Sequence, residues 1–173
     1  DVQWGQSVSE YALGLTICGL RRIPQIYTDM MHGHDTWDYS APGTDIGKPG
    51  QRSAQMGDDP RFVSGTISGK KVRILGAGNI GARYASWCSI MGADVAIWDP
   101  MAKDATFAVS GARRCFDKLE LVKDADIFAP MMPLFEATKG IVDTEMINEI
   151  PKGSLVVLVT RAAICDVDAL YHR

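Results

Sequence analysis

Residues 71–81 of this 173-residue chain read KVRILGAGNIG, a short apolar run that leads directly into three closely spaced glycines. The run predicts a β-strand and the apolar spacing after Gly81 predicts a helix, so the glycines occupy a strand-to-helix turn. In such a turn Gly76 would form the tight bend, Gly78 would let the backbone approach a pyrophosphate, and Gly81 would let the helix pack closely. The helix N-terminus would offer free amides to the phosphates. The stretch therefore predicts a dinucleotide site.

The alternation of strand, turn and helix continues from residue 70 to the end of the chain. Strands are predicted at residues 71–75, 94–98, 113–116, 126–129 and 155–159. Helices are predicted at residues 80–91, 102–109, 117–123 and 143–149, and from residue 166. Alternating elements of these lengths are typical of a parallel sheet with helices on both faces. We therefore expect an α/β, doubly wound, Rossmann-like domain over residues 70–173.

An acidic residue, Asp99, follows the second predicted strand, eighteen residues past Gly81. A carboxylate at this position can accept the hydroxyls of the adenosine ribose. It would repel a 2′-phosphate, and no arginine follows it closely, so the sequence favours NAD over NADP. The alternative is a purely structural turn with an unrelated surface aspartate, but strand, glycines, helix, second strand and acid all agree with the cofactor interpretation.

The first 69 residues have a different character. Ser7 and Glu10 have the spacing of a capping box, which predicts that a helix begins there, and Pro24 limits its continuation. The helix is apolar on more than one side, which predicts an interdomain or subunit contact over residues 1–30, as in a homodimer of the full-length protein. Glycines and prolines punctuate residues 31–69, which predicts a long loop, with Trp37 and Phe62 as anchors.

Composition excludes several classes of protein. The net charge of −3 provides no basic surface for nucleic acid or an anionic membrane. No apolar run approaches the roughly 20 residues of a membrane span, and no export signal is visible. The four cysteines lie far apart, without metal-ligand spacing. We therefore expect no metal, no membrane and no nucleic acid, and a reducing, cytoplasmic setting.

With these motifs in order, the chain resembles the D-isomer-specific 2-hydroxyacid dehydrogenase family. The resemblance covers nearly the whole chain except the predicted loop. It is carried by the glycine turn with residues 98–100, by residues 124–127, 132–134 and 138–140, by residues 151–154, and by Thr160-Arg161 with Asp166 and Ala169-Leu170.

The resemblance implies a hydride transfer between NAD(H) and a 2-hydroxy or 2-oxo acid. It implies that Arg161 holds the substrate carboxylate beside the nicotinamide, a task that suits a planar guanidinium. A surface arginine that caps a strand is the alternative. The resemblance further implies a set of cofactor contacts: Asn79 and Ile80 at the pyrophosphate, Met132 and Pro133 along the cleft, and Val159 and Thr160 near the nicotinamide.

Some features depart from the family pattern. Leu158, Met131 and the pair Ala162-Ala163 stand where the family usually has asparagine, histidine and two glycines. The family's catalytic histidine and its glutamate partner lie well downstream of the arginine, and the three histidines of this chain are interpreted as surface residues. We therefore expect a fragment that lacks the substrate domain and is inactive alone. A dinucleotide-sensing, corepressor-like protein of the same family is the alternative function.

Overall fold

The computed structural model describes residues 2–35, 59 and 61–173, with side chains from residue 5 onward. Most of the predicted loop of residues 31–69, including Trp37, therefore lies outside the described residues. Within them, no helix is long and apolar enough to cross a bilayer.

Among the residues that the structure describes, five parallel strands form one sheet in the order β3-β2-β1-β4-β5. This is the strand order of a Rossmann-like sheet, so the predicted fold class is confirmed. All residues of β1 after Lys71 are buried, as expected for a parallel strand covered on both faces. The strands are β1 (Lys71–Leu75), β2 (Asp94–Trp98), β3 (Arg113–Cys115), β4 (Ile127–Pro130) and β5 (Leu155–Val156).

Seven α-helices accompany the sheet in the described part of the chain. Residues of α1, α3 and α4 share one buried apolar cluster with the sheet, and residues of α5, α6 and α7 share the other. The helices are α1 (Val2–Leu20), α2 (Ile23–His32), α3 (Gly81–Ile90), α4 (Asp104–Ser110), α5 (Lys118–Val122), α6 (Thr144–Glu149) and α7 (Val167–His172). From β1 onward the predicted boundaries agree closely, except that β5 is shorter and is followed by an unpredicted 3-10 helix, Ala162–Ile164. Before β1, the sequence did not predict α2 as a separate helix.

The predicted start of the first helix at Ser7 is wrong, because α1 already begins at Val2. The hydroxyl of Ser9 donates to the carbonyl oxygen of Gly5 at 2.7 Å, and Glu10 accepts from the Gln6 side-chain amide at 2.8 Å. Both are contacts between residues four apart inside a helix. The spacing of Ser7 and Glu10 therefore fits a helix interior as well as a capping box. Only the conformation of the residues before Ser7 tells the two cases apart.

The end of α1 follows the expectation from Pro24. The helix ends at Leu20, Arg22 adopts a left-handed φ of 49°, and Pro24 then lies in the first turn of α2. Proline is well tolerated there because a first-turn amide has no intrahelical acceptor.

α1 packs into the domain itself. Its Thr16 hydroxyl lies 2.7 Å from the Tyr84 hydroxyl of α3 in the buried interior, and Thr16 also donates to the Ala12 carbonyl. Near its end, a β-carbon added to Gly19 would lie 2.6 Å from Cδ1 of Leu155. The close approach of α1 to α3 and β5 therefore depends on small side chains.

The prediction that Phe62 anchors this segment is wrong, because the Phe62 side chain is 45% exposed. Val63 and Ile67 are the buried apolar side chains of the described segment before β1. The Val63 amide also donates to the Gly153 carbonyl at 2.8 Å. A β-branched residue, rather than the aromatic ring beside it, therefore ties this segment to the core.

An ion-pair network lies at the amino end of the sheet. Arg73 of β1 is 1% exposed, and its guanidinium donates to Asp124 at 2.7 and 2.9 Å and to the Asp94 carboxylate at 2.9 Å. Lys71 also pairs with Asp124 at 2.9 Å. The hydrogen bonds from Arg73, with the one from Lys71, hold the pKa of the Asp124 carboxyl well below its ordinary 3.8.

Candidate functional site

The candidate site lies at the point where the strand order reverses, between β1 and β4. β1 pairs with β2 on one side and with β4 on the other, so the connections that leave β1 and β4 run to opposite faces. Open α/β sheets bind ligands in the crevice at this point, beyond the carboxyl ends of the strands. The segments that follow β1, β2, β4 and β5 meet at this edge, and every predicted site residue lies in one of them.

The glycine turn, residues 76–81, leaves no room for side chains at two positions. Gly76 has φ +97°, and a β-carbon there would lie 2.9 Å from Cγ of Met132 and 3.1 Å from the Met131 carbonyl oxygen. A β-carbon on Gly81 would overlap the carbonyl oxygen of Gly76. These contacts correspond to the predicted roles of a tight bend and of close helix packing.

Gly78 differs from the other two glycines. It is exposed, and a β-carbon there would find no atom within 4 Å. Asn79 beside it is also exposed, and no side chain among the described residues caps the helix that begins after Ile80. The backbone is therefore open at the point where a diphosphate would approach the first turn of α3.

A groove of about 600 Å³ adjoins this open backbone on the side of α3 and α4, a volume within the usual range of ligand pockets. Sequence reasoning missed it, because it depends on how the two helices are placed. Its walls are the turn residues Ala77, Gly78 and Asn79 and the facing side chains of the two helices, among them Arg83, Trp87 and Thr106.

Residues of α1 contact the glycine turn at Asn79 and Ile80, which sequence reasoning also missed. The Ser9 hydroxyl, which donates to the Gly5 carbonyl, shares its proton with the Ile80 carbonyl at 3.1 Å. A β-carbon on Gly5 would lie 3.1 Å from Cβ of Asn79. The signal that could have revealed this contact is a stripe of small residues with helical spacing along α1: Gly5, Ser9, Ala12, Thr16 and Gly19.

Asp99 is half-buried and is joined to the glycine turn. Its Oδ2 accepts a hydrogen bond from the Ala77 amide at 2.8 Å. Its Oδ1 accepts from the Met101 amide at 2.8 Å and from the Ala102 amide at 3.1 Å. The structure thus places Asp99 beside the glycine turn and shows backbone partners that the sequence did not reveal.

The segment after β4 forms the opposite wall. The Met131 amide donates to the Leu75 carbonyl at 2.8 Å, which extends the pairing with the last residue of β1 one residue past the end of β4. Met132 then packs over Gly76, and Pro133 is exposed. The carbonyl of Pro133 accepts from the buried Thr138 hydroxyl at 2.6 Å, which orders the turn that follows.

Val159, Thr160 and Arg161 follow β5. Val159 is partly buried against the core, and the Thr160 hydroxyl donates to the Pro130 carbonyl at 3.2 Å. Arg161 is exposed, and its guanidinium forms no hydrogen bond or ion pair with any described residue. Its donors are therefore available to a ligand at this edge of the sheet.

The histidines lie outside this group. His32, His34 and His172 are all exposed, as predicted. Among the described residues, no group of three or more histidine, cysteine or acidic side chains could hold a metal ion.

Comparison with known proteins gives a family match. The family model described as D-isomer specific 2-hydroxyacid dehydrogenase, NAD binding domain, matches residues 13–173. This range includes all the site residues predicted from the sequence.

Individual relatives agree with the match. The chain is 25% identical over 165 residues to a D-3-phosphoglycerate dehydrogenase of Haemophilus influenzae, covering 95% of this chain and 34% of the relative. It is 26% identical over 167 residues to a hydroxypyruvate reductase of Thermotoga maritima, covering 96% and 46%. Both figures show that the chain spans a third to a half of the length of these relatives.

A solved structure shows the same fold. The NAD-complexed form of a D-isomer specific 2-hydroxyacid dehydrogenase from Lactobacillus delbrueckii ssp. bulgaricus superposes with a TM-score of 0.73. The two chains are 23% identical, and the match covers 97% of this chain and 45% of the other.

Proposed function

This chain belongs to the D-isomer-specific 2-hydroxyacid dehydrogenase family as its NAD-binding domain, and from that premise we propose that the full-length protein transfers hydride between NAD(H) and a 2-hydroxy or 2-oxo acid. The observation that carries the proposal is the open backbone at Gly78, which lies at the crevice of the sheet between two glycines that admit no side chain. The space beside Gly78 is a cradle that a side chain would fill, and it fits a diphosphate.

The cofactor is held at the carboxyl edge of the sheet. Bound NAD(H) supplies or accepts the hydride. The chain's own part is to bind and orient: backbone amides and the positive end of α3 hold the diphosphate, while half-buried side chains exclude water from the cleft. The residues in these roles are Gly76, Gly78, Asn79, Ile80 and Gly81 at the diphosphate, Met132 and Pro133 along the cleft, and Val159, Thr160 and Arg161 toward the nicotinamide.

Asp99 sets the preference for NAD over NADP. Its carboxylate accepts a hydroxyl of the adenosine ribose and repels a 2′-phosphate. The position of this carboxylate beside the glycine turn, bonded to Ala77, supports the role.

Arg161 is the catalytic residue of this chain that touches the substrate. Its guanidinium pairs with the carboxylate of the 2-oxo acid and orients the carbonyl for reaction. The exposure of Arg161, its unused donors and its place after β5 support this role. The proton is exchanged by a histidine, oriented by a glutamate, from outside residues 1–173.

The full-length protein is a homodimer of the cytoplasm, with residues 1–30 at an interdomain or subunit contact. Support for the contact comes from α2, where Ile23, Tyr27 and Met31 are 46%, 63% and 67% exposed and follow one another at helical spacing. Support for the compartment comes from the cysteines, all four of which are free. Sedimentation analysis of the full-length protein and of its Tyr27→Glu, Met31→Glu double variant tests the dimer. An unsubstituted protein that sediments as a monomer would contradict it.

Two measurements on the full-length protein test the proposed function. Fluorescence titration should show saturable NADH binding that is tighter than NADPH binding. An assay of NADH oxidation should then show turnover with a 2-oxo acid from a panel that includes pyruvate and hydroxypyruvate. The absence of NADH binding would refute the function, whereas NADH binding without turnover of any 2-oxo acid would favour the dinucleotide-sensing alternative.

A further inference from the structure

Backbone amides of the protein fill most of the hydrogen-bond acceptor positions of the Asp99 carboxylate. An ionised carboxylate has about four acceptor positions, two on each oxygen. Three of them are filled by the amides of Met101, Ala102 and Ala77, at 2.8 to 3.1 Å. Both positions on Oδ1 are occupied, so only one position, on Oδ2, is left for a ligand.

The three amides belong to two different segments. Met101 and Ala102 lie just after Asp99, where an aspartate commonly closes such a turn. Ala77 lies 22 residues earlier, inside the glycine turn and next to Gly78. The same two segments are joined a second time, since the Gly76 amide donates to the Trp98 carbonyl at 2.9 Å.

We propose that Asp99 is a positioning residue, which holds the glycine turn in its phosphate-receiving form before any dinucleotide arrives and offers one remaining acceptor, on Oδ2, to the ribose. The inference rests on the proposed function, because it concerns the same site. It adds that Asp99 acts on the diphosphate through Ala77, as well as on the ribose directly. A turn that is already ordered loses less conformational entropy when a ligand binds.

Positioning and charge predict opposite effects on a phosphate ligand, which makes the inference testable. A carboxylate beside the turn repels an anion, so its neutralisation alone should tighten anion binding. If Asp99 holds the turn, its neutralisation should weaken anion binding.

Asp99→Asn separates these effects. An asparagine has one acceptor oxygen, which can still serve the amides of Met101 and Ala102, and its NH2 group then faces the Ala77 amide, donor against donor. Asp104→Asn is the matched control for charge, because Asp104 is 90% exposed and bonds Arg114 at 2.6 Å rather than the glycine turn.

The probes are inorganic pyrophosphate and reduced nicotinamide mononucleotide, which carry phosphate but no adenosine ribose, with NADH for comparison. Calorimetry on the full-length protein should show that Asp99→Asn weakens pyrophosphate and mononucleotide binding about tenfold, the value of one hydrogen bond to a charged group. Asp104→Asn should leave both affinities unchanged or slightly tighter.

Pyrophosphate and mononucleotide affinities that stay equal or rise in Asp99→Asn, while NADH affinity falls, would overturn the positioning role and leave the proposed function intact. A wild-type protein that binds no NADH would overturn both. If Asp99→Asn does not fold, amide hydrogen exchange of the unsubstituted, cofactor-free protein decides: the Ala77 amide should exchange much more slowly than that of exposed Gly78, and equal rates would overturn the inference.

Discussion

The backbone of Gly81, at the start of α3, lies so close to the carbonyl oxygen of Gly76 that a β-carbon on Gly81 would overlap that oxygen. The two glycines mark the ends of the turn that follows β1. Their contact brings the first turn of α3 against the carboxyl end of the sheet, where the dipole of the helix can act on a ligand.

Gly81→Ala should therefore destabilise the protein. The added carbon meets backbone rather than a movable side chain, so the turn and the helix must separate, which costs about 1–3 kcal/mol. We expect the free energy of unfolding to fall by this amount and NADH binding to weaken at the same time. Chemical denaturation and NADH titration measure the two effects, and an unchanged free energy of unfolding would contradict the close contact.

Gly78→Ala is the matched control. The same carbon is added three residues away, where no atom lies within 4 Å, so stability should stay within about 0.5 kcal/mol. The methyl group does occupy the space proposed for the diphosphate, so NADH affinity should still fall. Unimpaired NADH binding by Gly78→Ala would place the diphosphate elsewhere.

Arg161→Gln should damage turnover much more than cofactor binding. Loss of paired, charge-assisted hydrogen bonds to the substrate carboxylate should lower kcat/KM for the 2-oxo acid by on the order of a hundredfold. NADH affinity should change little, because the backbone holds most of the cofactor. Steady-state kinetics of the full-length protein check this, with Arg113→Gln as a control for loss of an exposed arginine, because Arg113 lies at the start of β3 rather than in the candidate site. Wild-type kcat/KM in Arg161→Gln would end the assignment.

Acid should destabilise the protein through Asp124. Since Arg73 lowers the pKa of Asp124 below 3.8 in the folded state, the unfolded chain takes up a proton at a higher pH than the folded chain. The stabilisation is thus fully present above about pH 5 and is lost as pH falls through and below 4. Urea denaturation between pH 7 and pH 3 should show this decline, and Asp124→Asn should be less stable at pH 7 and decline less. Equal declines in both proteins would contradict the assignment.

Gly14→Ala should stabilise the protein. Gly14 is exposed in the interior of α1, and a β-carbon there meets nothing within 4 Å. Removing the backbone freedom of a mid-helix glycine gains about 0.5–1 kcal/mol, or roughly 1–4 °C in Tm for a domain of this size. Gly19→Ala should gain less, because its added carbon meets Leu155. Thermal melts of the two variants measure the change in Tm. An equal rise in Tm for both would show that α1 and β5 are not in close contact at Gly19.

Local sequence pattern was sufficient for most of the fold. Strands β1 and β2 begin and end where the alternation of apolar runs and glycines predicts, because both signals act within a few residues. The start of α1 was mispredicted because the Ser7 to Glu10 spacing suits a cap and a helix interior equally. The strand predicted over residues 155–159 is shorter because pairing partners, which lie far away in sequence, decide where a ladder ends.

The sequence by itself determined that a glycine turn leads from a strand into a helix and that an acidic residue follows the next strand. Only the tertiary structure decided what these residues touch: Met132 against Gly76, Asp99 on the amide of Ala77, and Ser9 behind Ile80. The reason is physical. Backbone preferences and helix dipoles act locally, whereas a hydrogen bond between residues 22 or 71 positions apart exists only once the sheet order has brought their strands and helices together.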